Sequence, residues 1–178
     1  MESNYTEFKS AFESDLLSFV KQITSSNELF GLAIMIGEDI DQMDCVAVTL
    51  NEEERAKLDP SYSTESQYIA DEWPSWHYEA FESTSKAFQK LLSNALKSDP
   101  DSSEYTSDQL QFMNGLYDTY LSVMMAHRST ELSCIPFTML YSSDCGRNFM
   151  GKSVQKLDTG AILEGALKVY DCNGDTNF

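Results

Sequence analysis

LFGLAIMIGEDIDQMDCVAVTL, residues 29–50, decides the fold: two apolar runs, 29–36 and 45–50, bracket an acidic link that contains Gly37. Each run has the length of a strand, and the short polar link with its glycine predicts neighbouring antiparallel strands.

The flanking segments predict the rest of the domain. Upstream, Tyr5, Phe8, Phe12, Leu16, Phe19 and Ile23 recur every three or four residues, and Asn4 and Glu7 have the spacing of a capping box, so a helix is expected over 4–24. Downstream, NEEERAKLDPSYS predicts a turn of helix and then a loop. Residues 64–70 read as a third strand, with Tyr68 and Ala70 on one face and Gln67 and Ile69 on the other. Helices follow over 79–97, striped by Phe81, Phe88 and Leu91, and over 107–127, striped by Met113, Tyr117, Tyr120 and Met124. CIPFTMLY, residues 134–141, reads as a buried strand, and ALKVYD as a last one. The order predicts a single α+β domain over residues 1–178, a largely antiparallel sheet with long helices packed on one face.

The charge is lopsided. Residues 1–118 carry 23 acids against 7 bases, whereas residues 119–178 carry 6 against 5, and the chain totals −17. Such a surface repels nucleic acid and anionic membrane and speeds encounter with a basic partner, although solubility alone would also explain it. No run reaches the length of a membrane span, and MESNYTEF has neither the basic region nor the apolar core of a signal peptide, so a cytoplasmic location is expected. Cys45, Cys134, Cys145 and Cys172 form no CxxC pair, and only two histidines accompany them, which favours free thiols packed as small hydrophobes and no metal.

Two stretches carry chemistry. Gly146, Gly151, Lys152 and Ser153 spell a phosphate loop, in which backbone N–H groups and Lys would hold phosphates and Ser a magnesium ion. Only 25 residues follow Ser153, too few for the strand and carboxylate that complete such a site, and Asp158, Thr159 and Gly160 interrupt the helix that should come next. The nine residues CGRNFMGKS therefore read as a surface loop. The second stretch, YIADEWPSWHYEAF, holds Trp73, Trp76 and His77 between Glu72 and Glu79. Three readings stay open. His77 could be a general base oriented by Glu79, the tryptophans could pack beneath a helix start, or they could anchor a partner within an acidic rim.

From this corner the chain resembles a bacterial family of small cytosolic proteins catalogued as domain of unknown function 4303. The resemblance rests on the helix, the pair FGLAIMI and CVAVTLN, NEEERAKL, DEWPSWHYEAF, two helices, PFTMLYSSD and SVQKLD. Its most specific matches are Glu72–Trp73 and Ser143–Asp144, with Tyr68 in the place of an earlier tryptophan and Leu157–Asp158 in place of a Leu-Asn ending. Such families often look like immunity proteins encoded beside toxins, which implies a binding protein without cofactor. The function expected is stoichiometric occlusion of a basic toxin domain, such as a nuclease. Glu38, Asp39, Asp41 and Asp44, or Glu52, Glu53 and Glu54, would meet Lys and Arg, and Trp73, Trp76 and His77 beside Glu72 would anchor. The alternatives are a nucleotide-binding protein or enzyme built on Gly146–Ser153 or His77, and a regulatory or scaffold protein.

Overall fold

A computed structural model describes residues 2–25, 28–37, 39–58, 65–95, 105–142 and 147–170. Helix α1, Glu2–Thr24, starts ahead of the Asn4–Glu7 pair, which therefore lies inside the helix. It buries Phe8, Phe12, Leu16 and Phe19. Strands β1, Leu29–Ile36, and β2, Cys45–Asn51, pair antiparallel from Leu29↔Asn51 to Ile36↔Cys45, with a register shift between Leu29 and Gly31. At the end of β2, Asn51 starts the short helix α2, Glu52–Arg55, through a full capping box with Glu54.

The expected strand at 64–70 is absent from its described part. Residues Ser66–Tyr68 and Ala70–Glu72 are 3-10 turns, and the third strand, β3, is the short Ser75–His77, antiparallel to β2. The alternation was real, since Ser66, Tyr68 and Ala70 are buried. Those side chains lie on the face of the sheet, Tyr68 edge-on to Phe137 at 5.2 Å, instead of extending its edge.

Helices α3, Glu82–Ala95, and α4, Ser107–His127, follow, the second opened by a Thr106–Gln109 capping box. Asp15 of α1 accepts from the Thr84 N–H and hydroxyl at 2.8 and 2.9 Å, pinning the first turn of α3. Strand β4 is Phe137–Tyr141, shorter than 134–141 because Cys134 and Ile135 sit in the turn after α4 and Pro136 lacks an N–H for the ladder. It runs parallel to β1, so the sheet, ordered β3-β2-β1-β4, is mixed.

Helices cover both faces rather than one. GRNFMGKS is not a loop from Arg147 onward: α5, Arg147–Leu157, packs along β4, and α6, Gly160–Leu167, replaces the strand expected at ALKVYD. The two helices are separated at Gly160, whose φ of 60° suits glycine. Side chains alternate accordingly. Leu32, Ile34 and Ala47 join the core under α1, α3 and α4, whereas Ala33, Val48, Phe137 and Met139 join one under α5, α6 and the 3-10 turns. Burial on both faces explains why these strands read as unbroken apolar runs. Among the described residues no helix is long and apolar enough to cross a membrane.

His127, at the end of α4, is held between Glu13 and Glu131, each 2.7 Å from a ring nitrogen. Burial pulls its pKa down, but the two carboxylates outweigh this and raise it. Its stabilising contribution is thus present below the unfolded value of about 6.5 and is lost as pH rises through the folded one. An NMR titration of the His127 ring should end above that of a free histidine and drop on Glu13→Gln; an unchanged midpoint would show that the carboxylates do not hold the proton.

Candidate functional site

Beside β3, a groove of about 550 Å³ opens between α1 and the segment leading into α3, lined by Phe19, Gln22 and Trp76 to Ala80. Its geometry follows from the strand. Ser75 and His77 project toward α1, and Trp76 projects to the opposite face. The His77 ring stands edge-on to Phe19 at 4.9 Å and shares a 3.0 Å hydrogen bond between Nε2 and the Thr49 hydroxyl. Burial lowers its pKa, against a weaker upward pull from Glu54. The imidazole is therefore neutral at pH 7.

Trp76 and Tyr78 stack with centroids 5.9 Å apart and planes 18° from parallel. The Trp76 N–H donates to the Trp73 carbonyl at 2.9 Å, which fixes the indole, whereas Tyr78 is 71% exposed. Glu54 supports the strand from below: one carboxylate oxygen accepts from the Ser75 hydroxyl at 2.6 Å and the other from the Asn51 N–H at 3.0 Å. Around this pair Asp71, Glu72 and Glu79 are exposed, and no Lys or Arg occurs between Lys57 and Lys86.

The structure sorts the residues singled out above. Trp76 and His77 line the groove, with Glu72 exposed nearby in sequence, but Trp73 is 1% exposed and belongs to the core, so it cannot anchor a partner. Glu79 does not orient His77; Thr49 does. Most of the carboxylates already have internal work. Asp44 accepts from the Cys45 N–H and the Ser85 hydroxyl, Asp39 from the Tyr105 hydroxyl, and Glu54 caps α2. Glu52 pairs with Arg55 and Glu53 with Lys57, Asp41 is exposed, and Glu38 lies outside the described residues. Tyr78, the most exposed ring of the site, is not among the residues the sequence points to, because it lies in the turn just after β3 and no local pattern marks that edge.

Among the described residues, the phosphate-loop positions lie along a helix rather than in a cradle. Ser143, Asp144 and Gly146 lie outside the described residues, Gly151 is inside α5, Lys152 is exposed and Ser153 is buried. The Ser153 hydroxyl accepts from the Leu140 N–H at 3.1 Å and has the Leu140 and Met150 carbonyls at 3.1 and 2.9 Å for its proton. With Asp158 accepting from the Thr138 N–H at 3.1 Å, it takes up the outward-facing N–H groups of Thr138 and Leu140 on the edge of β4. Ser153→Ala should therefore cost about 1–3 kcal/mol by orphaning buried backbone groups. Magnesium with ATP should leave the melting midpoint unmoved. A ligand-induced rise, or a neutral alanine variant, would contradict this placement.

A family described as Domain of unknown function (DUF4303) matches residues 9–132, a span that holds α1 from Lys9 onward, β1 to β3, α2 to α4 and the whole groove. No curated protein matches the chain, and no solved structure does.

Proposed function

We propose that this chain, which belongs to the DUF4303 family, acts by binding a basic protein, as an immunity-type inhibitor that covers the cationic face of a toxin domain such as a nuclease. The observation that carries the reading is the stacked Trp76–Tyr78 pair, fixed on one side and exposed on the other, beside a groove in a stretch without cations. Exposed aromatic anchors ringed by carboxylates suit a partner rich in Lys and Arg. The two edges of the sheet differ in the same sense. Both β3 and β4 have a strand neighbour on one side only, but Ser153 and Asp158 take the outward N–H groups of Thr138 and Leu140 on β4. Occlusion would then be stoichiometric, steered by the −17 charge and anchored at the groove.

The test uses the full chain as bait against a lysate of its source cells, beside a Tyr78→Ala, Glu79→Gln variant. A basic protein should be retained by the wild type alone, and its association rate should fall steeply between low salt and 1 M, where the screening length shrinks to about 3 Å. Capture of acidic proteins only, or retention that ignores both salt and the variant, would sink the reading.

A further inference from the structure

We propose that the groove is an arginine site: the Tyr78–Trp76 stack takes the flat face of one partner guanidinium while the Glu79 carboxylate takes its N–H edge. This deepens, and rests on, the basic-partner reading.

Four features select a guanidinium over other cations. First, the exposed face belongs to a phenol stacked on an indole that is itself locked by the Trp73 carbonyl, so the platform is in place before binding. A planar, weakly hydrated guanidinium stacks on such a platform, whereas a compact, strongly hydrated ammonium gives up more solvation to do so. Second, Glu79 is exposed and makes no ion pair among the described residues, which leaves its two oxygens for a bidentate contact. Glu54, by contrast, is already held by Ser75 and Asn51, and Asp71 and Glu72, exposed like Glu79, are outside the groove's lining.

Third, the histidine in the groove does not oppose the cation. His77 faces Phe19 and Gln22 of α1, Thr49 of β2 and, at longer range, Glu54 of α2, and its imidazole is neutral at pH 7. Fourth, Phe19 in the groove's lining offers the methylene stem of an arginine an apolar surface to lie on.

The test titrates the labelled full chain with a short capped arginine–glycine peptide and with its lysine–glycine counterpart at low ionic strength, following the two indole N–H resonances. The arginine peptide should shift the Trp76 resonance and leave that of buried Trp73 in place, binding at least about fivefold more tightly than the lysine peptide. Tyr78→Ala, at an exposed position, should weaken it about five- to tenfold and Glu79→Gln by a similar factor, with melting midpoints unchanged.

Equal affinity for both peptides, insensitive to both variants, would overturn the arginine site and leave the basic-partner reading standing. Absence of binding by either peptide at low salt would overturn both.

Discussion

Trp73→Ala is expected to cost about 3–5 kcal/mol of folding stability, the range for truncating a large buried aromatic. The ring is 1% exposed, edge-on to Phe137 at 6.0 Å, and lies directly on the backbone of β1. A Cβ added at Gly31 would stand 2.5 Å from Cη2 of the indole, so Gly31→Ala should itself cost about 1–3 kcal/mol by overpacking. The pair gives a sharper test than either change alone. Phenylalanine at position 73 removes the clashing benzo carbons and also a buried indole N–H that has no partner among the described residues. Gly31→Ala should therefore be nearly tolerated in a Trp73→Phe background, with a coupling of about 1 kcal/mol or more in denaturant titrations. Additive effects would mean that the ring does not rest on Gly31.

Asp158→Asn should stabilise the protein above neutral pH by about 3–5 kcal/mol. The Asp158 side chain is fully buried at the end of α5, and burial raises its pKa to about 7 despite the Thr138 N–H and the Arg128 guanidinium, 3.4 Å away. A carboxyl with a raised folded pKa binds more protons folded than unfolded. Its stabilisation is thus complete below the unfolded value near 3.9 and is lost as pH rises through about 7, some three units at 1.36 kcal/mol each. When neutral, it can donate to the Thr138 hydroxyl beside it, and both that hydroxyl and the second carboxyl oxygen lack partners otherwise. Asparagine supplies the same donor at every pH. Melting curves at pH 5 and pH 8 should therefore diverge for the wild type and converge for the variant. The −17 charge also favours lower pH, so the difference between the two proteins is the quantity that isolates Asp158. Equal pH dependence in both would contradict the assignment.

These two sites show what was legible in the chain and what was not. The hairpin of β1 and β2, the turn of helix after it and the stripes of α1, α3 and α4 follow local rules of period, and they stand where periodicity put them. The second layer did not. Arg147–Leu157 carries three of the letters of a phosphate loop and is followed by Asp158, so a buried helix looked like a loop before a broken one. Its serine and aspartate serve the free edge of β4, a long-range role that no local pattern encodes. Likewise Ser66, Tyr68 and Ala70 alternate as a strand would, yet their backbone turns in 3-10 geometry because the side chains pack down onto the sheet. The aromatic corner was legible as a cluster. Which tryptophan is core and which is surface depended on Gly31, whose missing Cβ makes room for Trp73 and not for Trp76.

The central claim is that the groove beside β3 is the surface the protein uses. Hydrogen exchange of the full chain, alone and saturated with the basic protein it captures, tests this most directly. Protection is expected to concentrate at residues 75–80 and at Phe19 and Gln22 of α1, with α5 and α6 unaffected. Protection centred on α5 and α6, with residues 75–80 exchanging as in the free protein, would contradict it.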